Sequence, residues 1–121
     1  MSALRLVVTT PAEVLADLPD VVSLRAEDEG GGFGLLPGCE DLLTVMPPSV
    51  LRWRRADGRR GFCAVSGGVL RVEGGDRVSV ACRQGAVGDD LPRLEAEVRA
   101  RREAEAEAGR AARAEHARLH A

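Results

Sequence analysis

Short apolar segments with a period of two residues follow one another through the first 84 positions. Leu4, Leu6 and Val8 form the first series, and this spacing is typical of a strand with one buried face. Comparable series occur at residues 22–26, 51–54, 69–72 and 78–82. Turn residues with glycine separate them, as at 57–58 and 73–76. The pattern predicts an antiparallel all-β sandwich over residues 1–87, with about eight to ten short strands.

Two of these series carry specific expectations. Val22, Leu24 and Ala26 are expected to share the buried face of one strand, because they alternate with polar neighbours. The segment at 51–54 places its apolar side chains on one face, so Arg52 and Arg54 give the other face a wet, basic character.

The pattern changes after Gly88, where Ala, Glu and Arg dominate up to the last residue. These are strong helix formers, Pro92 suits a first helical turn, and an aspartate at 89 or 90 can serve as the N-cap. The sequence predicts a helical segment over residues 88–121, with Gly109 as the position where it could break or turn. Leu91, Leu94 and Val98 could dock its first turns on the sandwich. Beyond them the helix is either a solvated, frayed segment or one that binds a partner.

Composition and charge narrow the function classes. All 17 cationic side chains are Arg, they face 19 Asp and Glu, and the net charge is −2. Nucleic-acid binders usually have a basic excess, so this balance argues against one. No apolar run approaches the roughly 18 residues of a membrane span, which argues against insertion into lipid. The first ten residues lack the features of a signal peptide, which favours a cytosolic protein.

Catalytic and metal-binding patterns are largely missing from the sequence. The sequence has three cysteines, Cys39, Cys63 and Cys82. An odd number without a CxxC pair indicates small buried hydrophobic residues rather than a disulfide framework. His116 and His120 have a chelating spacing but no third ligand beside them. The glycine-rich segment at 30–34 is followed neither by Lys-Ser/Thr nor by a helix, so it does not predict a phosphate site. We expect no metal, no cofactor and no active site.

Two motifs resemble those of the ε subunit of F-type ATP synthases. Residues 34–44, Gly-Leu-Leu-Pro-Gly-Cys-Glu-Asp-Leu-Leu-Thr, are similar to the family's Gly-Ile-x-Pro-Gly-His-x-x-Leu-Leu-Thr segment. Residues 66–72 match its Ser-Gly-Gly turn and the following strand, and residues 4–13 resemble its first strand and turn. The resemblance assigns structural turn roles to five residues: Pro37, Gly38, Ser66, Gly67 and Gly68.

This resemblance implies a non-catalytic subunit of the central stalk, which couples ion flow through the c-ring to ATP synthesis or hydrolysis. Its implied partners are the γ subunit, the c-ring and, through an extended tail, the α/β hexamer. Its implied place is the cytoplasmic side of the bacterial inner membrane, as a peripheral part of the complex. The implied c-ring contacts are Glu29, Gly30, Gly31, Gly32, Cys39 and Glu40. The implied γ contacts are Leu42, Leu43 and Val45.

Some positions depart from the family pattern. Cys39 replaces the His of the Pro-Gly-His segment, and Asp41 resembles the divergent N-ATPase branch. Residues 91–96 correspond to the ATP-binding motif Ile/Leu-Asp-x-x-Arg-Ala of some relatives. Pro92 stands for the Asp and Glu95 for the Arg, which removes the cation that would meet phosphate. We therefore expect no ATP binding. A competing hypothesis is a free-standing β-sandwich adaptor that binds a partner through its helical tail.

Overall fold

The computed structural model describes residues 3–120, with side chains described up to residue 114. Nine strands precede one helix. The strands are β1 (Leu4–Thr9), β2 (Val14–Asp28), β3 (Gly31–Leu35), β4 (Leu42–Met46), β5 (Ser49–Arg55), β6 (Arg60–Val65), β7 (Gly68–Glu73), β8 (Arg77–Cys82) and β9 (Gly85–Gly88). The helix is α1 (Leu91–His120). These elements confirm the predicted all-β sandwich with a C-terminal helix.

The strands form one hydrogen-bonded path in the order β4-β7-β8-β1-β2-β5-β6-β9, and β3 pairs with β2. In the described residues every strand pairing is antiparallel except that of β1 with β8, which is parallel. The 15-residue β2 pairs with β1 through its first half and with β3 and β5 through its second half. It therefore passes from one layer of the sandwich to the other.

One core lies between the two layers. Alternate residues of β1, β7 and β8 meet alternate residues of β2, β5 and β6, and most of them are fully buried. Leu70 and Val80 come from the first layer, and Leu24 and Leu51 from the second. The core is built from Leu and Val with a single indole, Trp53. This agrees with the low aromatic content of the sequence, 2%.

The buried face of β2 differs from the expectation at one position. Val21 is fully buried together with Leu24 and Ala26, whereas Val22 is only half-buried. The pairing of β2 with β5 changes register between Val21 and Ser23. This bulge shifts the alternation by one residue, which a strict period of two cannot predict.

The helix packs its first turns on the outer face of β5 and β6. Leu94 and Val98 are buried there against Val50 and Ala64, and Leu91 lies at the edge of this small cluster. The docking predicted for these turns is confirmed. The helix runs without interruption through Gly109, where the sequence allowed a break or turn. The division into units at residues 87 and 88 stays a prediction. In the described part of the chain no helix is long and apolar enough to cross a membrane.

Candidate interaction surface

The hairpin between β2 and β3 projects a glycine-rich tip. Gly31 has φ +110°, a conformation that favours glycine, and a side chain at this position would meet no neighbouring atom. Asp28 fixes the tip from both sides. One of its carboxylate oxygens accepts a hydrogen bond from the Gly30 N–H at 2.8 Å, and the other accepts one from the Thr44 hydroxyl at 3.0 Å. The tip is therefore held beside the middle of β4.

An exposed apolar surface lies next to this tip. The side chains of Leu43 and Val45 point outward from β4 and are 69% and 61% exposed. Val69 of β7 stands directly opposite Val45 and is 41% exposed. We call Leu43, Val45 and Val69 the β4–β7 patch. Together with the tip it lines an open concavity of about 550 Å³. Contiguous exposed apolar side chains of this kind are typical of interaction sites.

The three predicted γ contacts do not share one environment. Leu43 and Val45 belong to the β4–β7 patch, but Leu42 is half-buried and packs against the core. The period of two residues along β4 explains the difference, since Leu42 points to the opposite face from Leu43. An exposed γ contact is thus available at two of the three positions.

The predicted c-ring contacts separate into two groups. Glu29, Gly30, Gly31 and Gly32 lie at the start of β3, whereas Cys39 and Glu40 follow its other end. The loop that carries Cys39 is anchored elsewhere. The Gly38 N–H donates to the Gly75 carbonyl at 2.7 Å. The Gly74 N–H donates to an Asp41 carboxylate oxygen at 2.9 Å.

These bonds tie the loop at 36–41 to the turn between β7 and β8. Cys39 is half-buried against the core, while Glu40 is exposed. Asp41, whose identity resembles the N-ATPase branch, has a local structural partner in this turn. The structure does not bring the Cys39 loop together with the hairpin tip.

The residues assigned to structural turns have clear local reasons. Gly38 and Gly67 both have positive φ, at +88° and +97°. The Ser66 N–H donates to the Gln84 carbonyl at 3.0 Å, and the Gln84 N–H donates to the Ser66 hydroxyl at 3.1 Å. Gly68 lies so close to the neighbouring strand that a Cβ there would overlap the Ala81 carbonyl oxygen. Pro37 and Gly38 are the central residues of one turn, which the Cys39 N–H closes by donating to the Leu36 carbonyl at 3.1 Å.

The start of α1 carries the positions of the altered ATP motif. Asp90 caps the helix, since its carboxylate accepts the Arg93 N–H at 3.2 Å. Pro92 occupies the first turn, where a missing N–H costs nothing. Glu95 turns toward the sheet and pairs with Arg52 at 3.2 Å. The Glu95 carboxylate therefore has a structural partner on β5.

Further along, Arg102 ties the helix to β2. Its guanidinium pairs with Glu27 at 2.7 Å and donates to the Pro48 carbonyl at 2.6 Å. Past Arg102 the described side chains are nearly all exposed. The helix is thus fixed over its first three turns, and its remainder up to residue 114 consists of Ala, Arg and Glu with the single Gly109.

Two of the three thiols are buried in the sandwich. Burial, together with the neighbouring Cys82, raises the pKa of Cys63 to about 12, and burial also raises the pKa of Cys82. Both thiols therefore stay protonated at neutral pH. Among the described residues no three His, Cys, Asp or Glu side chains come together as a possible metal site. The side chains of His116 and His120 lie outside the described residues.

Sequence reasoning missed Val69 and the bond between Asp28 and Thr44. Val69 could have been found from the alternation of residues 69–72, because burying Leu70 and Val72 leaves Val69 on the outer face. The Asp28–Thr44 bond had no signal in the sequence, since it depends on how β4 lies beside the end of β2.

A β-sandwich with an exposed apolar patch, a fixed glycine tip and a docked helix has the features of a protein-binding subunit. A family model described as "ATP synthase, Delta/Epsilon chain, beta-sandwich domain" matches residues 3–86. Curated chains named "ATP synthase epsilon chain 2" are similar over nearly the whole length. The Paraburkholderia xenovorans chain is 51% identical over 118 residues, 98% of this chain and 85% of that one. The Cereibacter sphaeroides chain is 53% identical over 119 residues, 98% of this chain and 82% of that one.

The chain therefore belongs to the family of ATP synthase epsilon chains, which are non-catalytic subunits. Solved structures share its fold at low identity. A chain of the Euglena gracilis mitochondrial ATP synthase, described with OSCP, F1 and the c-ring, gives a TM-score of 0.68 at 19% identity. The alignment covers 80% of this chain and 62% of that one, less than two thirds. A chain of the Tetrahymena thermophila central stalk and c-ring gives 0.59 at 16% identity, with 71% and 69% covered.

Proposed function

We propose that this chain is the central-stalk epsilon subunit of an F-type ATP synthase, in which it couples ion flow through the c-ring to ATP synthesis or hydrolysis. The observation that carries the proposal is the continuous surface made by the hairpin tip and the β4–β7 patch. An apolar patch suits a permanent protein neighbour, here the γ subunit. A bare glycine tip suits close approach to short polar loops, here those of the c-ring.

The same surface argues against the free-standing adaptor. An adaptor that binds through its tail needs no apolar patch on the sandwich, and it would expose Leu43 and Val45 to water without benefit. The proposed location is peripheral, on the cytoplasmic side of the bacterial inner membrane, where the complex would hold the chain. Membership of the N-ATPase branch stays a prediction supported by Asp41.

A weak regulatory role of the tail is part of the proposal. Only a few contacts hold the helix on the sheet: Leu94, Val98 and two ion pairs. Breaking them would release the tail, and the extended tail would then contact the α/β hexamer. Glu95 replaces a cation with an anion, and we expect the isolated chain to bind no ATP. Calorimetric titration with Mg-ATP tests this, and binding at micromolar ATP would contradict it.

The γ contact is tested with the full chain and a recombinant αβγ complex from the same source. Val45→Asp places a charge in the β4–β7 patch and should weaken binding by about a hundredfold. Val14→Asp is the matched control, because Val14 is 60% exposed on β2, outside the patch. Equal binding of all three proteins would place the γ contact elsewhere, and no binding of the wild type would favour the adaptor.

The c-ring contact is tested in the assembled complex with a photo-crosslinking amino acid. At Glu29 the probe should capture a c subunit, because Glu29 is exposed at the hairpin tip. Asp57, in the exposed turn between β5 and β6, is the control position. Capture of c from Asp57 and not from Glu29 would overturn the assignment of the tip. A probe at Glu40 decides whether the second loop contributes.

A further inference from the structure

The outer face of the second layer carries four exposed arginines in adjacent positions of three paired strands. Arg25 of β2 stands directly opposite Arg52 of β5, and Arg54 of β5 stands directly opposite Arg60 of β6. Leu24 and Trp53, which adjoin Arg25, Arg52 and Arg54, lie in the core, and so does Cys63, three positions along β6 from Arg60. With a period of two residues, all four arginines therefore share the outer face. We call Arg25, Arg52, Arg54 and Arg60 the arginine ladder.

This arrangement is unfavourable in the isolated chain. Residues directly opposite each other in an antiparallel pair have Cβ atoms only about 5 Å apart, and like charges at that distance destabilise the sheet. The ladder makes two such pairings side by side. Aromatic or β-branched residues would suit these exposed strand positions better.

Nearby carboxylates do not neutralise the ladder. Within the described residues only Arg52 has an ion-pair partner, Glu95 of the helix at 3.2 Å. Three carboxylates of the same strands and turns are each paired with a different arginine: Glu27 with Arg102, Asp57 with Arg59, and Asp20 with Arg55. Asp90, which follows β9, accepts the Arg93 N–H at the start of the helix. Arg25, Arg54 and Arg60 are exposed residues, and none of them has an ion-pair partner in the described part of the chain.

We propose that the arginine ladder is a docking surface for an acidic, carboxylate-rich protein segment. Guanidinium groups bind carboxylates through paired hydrogen bonds, and a row of them on a flat sheet fits an extended segment with several Asp or Glu side chains. The ladder lies on the layer opposite the β4–β7 patch, so its partner is distinct from whatever covers that patch.

The charge of the whole chain favours a short protein segment over an extended polyanion. The net charge is −2, so an anionic membrane or a nucleic acid would meet repulsion outside the ladder. A short acidic segment interacts with the ladder alone. Beside it, toward α1, a small concavity of about 190 Å³ is lined by Arg52, Arg99 and Arg102 together with Glu27 and Glu95, so the free positive charge is concentrated at Arg25, Arg54 and Arg60.

The test measures binding of a glutamate decapeptide to the full chain at low ionic strength, by calorimetry or fluorescence anisotropy. The variant Arg25→Gln/Arg54→Gln/Arg60→Gln should bind at least about tenfold more weakly. The matched control Arg71→Gln/Arg77→Gln/Arg83→Gln removes the same charge from exposed positions of β7, β8 and the following loop, and should bind within about twofold of the wild type.

A second readout separates binding from folding. Because the ladder opposes like charges, the ladder variant should melt a few degrees above the wild type, whereas a damaged fold would melt below it. Equal loss of peptide binding in both variants would mean that the net charge of the chain, and not the position of the arginines, controls binding, and it would overturn the proposal. Binding of the wild type to phosphatidylglycerol vesicles or single-stranded DNA, but not to the peptide, would overturn the choice of an acidic protein segment.

Discussion

Gly68 is a residue whose replacement the fold cannot absorb. It begins β7 against β8, and a Cβ there would overlap the Ala81 carbonyl oxygen, which belongs to a rigid paired strand. Gly68→Ala should destabilise the chain by about 1–3 kcal/mol, because the strands must separate. Urea unfolding measures this loss.

Gly32→Ala is the matched comparison for that substitution. Gly32 also lies in a strand without positive φ, but its nearest contact for a new Cβ is the Ala26 carbonyl oxygen at 3.9 Å. Its stability should stay within about 0.5 kcal/mol of the wild type. Equal costs for both substitutions would mean that strand glycines matter here for chain flexibility rather than for close approach.

The cysteines should differ sharply in reactivity. Cys63 is fully buried and its pKa is raised to about 12, and the pKa of the buried Cys82 is raised as well. Since the thiolate is the reactive form, neither should react with a thiol reagent at pH 8 in the native chain. Cys39 is half-buried and should be the one that reacts.

Ellman's reagent gives the measurement. We expect one thiol per chain under native conditions and three after denaturation. Cys39→Ser should remove the native signal and leave two thiols in the denatured chain. Rapid native reaction of two or more thiols would contradict the burial of the β6 and β8 cysteines.

At the scale of elements, the helix owes its position to very few side chains. Leu94 is 5% exposed and lies between β6 and the helix axis, in the cluster with Val50 and Ala64. Leu94→Ala should cost about 2 kcal/mol and release the first turns from the sheet. Hydrogen exchange should then accelerate over residues 94–102, while the amides of β1 and β8 stay protected.

Leu43→Ala is the matched control for this prediction. It is the same substitution at a position that is 69% exposed, so stability and helix exchange should not change. In the γ-binding assay the effects should be reversed: Leu43→Ala should bind the αβγ complex more weakly than Leu94→Ala does. If both variants exchanged alike over the helix, Leu94 would not be what holds it.

Elements with a strict period and a clear turn signal could be predicted from the sequence. β1 and β8 alternate without interruption, and the turn at residues 73–76 has the glycines that positive φ requires, Gly74 and Gly75. The bulge in β2 could not be predicted, because it appears only in the pairing of β2 with its two neighbours: the register changes against β1 between Leu18 and Val21, and against β5 between Val21 and Ser23. The parallel contact of β1 with β8 is a property of the closed sandwich and leaves no local pattern.

The parts of the candidate surface that depend only on residues near in sequence could be predicted. The glycine tip and the outward face of β4 follow from composition and alternation. The separation of Cys39 from the tip does not, because it depends on the bonds of Gly38 and Asp41 to the distant turn after β7. The two segments predicted to contact the c-ring, residues 29–32 and 39–40, therefore lie near opposite ends of β3.

At the scale of the whole molecule, the two layers present opposite chemistry. The first layer offers the β4–β7 patch beside the hairpin tip, and the second offers the arginine ladder beside the helix. A subunit with two unlike faces can contact two neighbours at once without competition. The proposals for the γ subunit and for an acidic segment are thus compatible in one assembly, and each can fail without the other.

The main core contains no side chain of the helix, which predicts that the sandwich folds without it. A chain ending at residue 90 should unfold in a single cooperative step and lose about 2 kcal/mol, because Val50 and Ala64 become exposed and Arg102 no longer bonds the Pro48 carbonyl. It should still bind the αβγ complex with the affinity of the full chain, since the β4–β7 patch lies on the other layer. Thermal melts and the binding assay measure both effects, with Leu94→Ala as the full-length control for an undocked helix. A non-cooperative melt would show that the helix is an integral part of the fold, and lost binding in a well-folded fragment would move the γ contact to the helix.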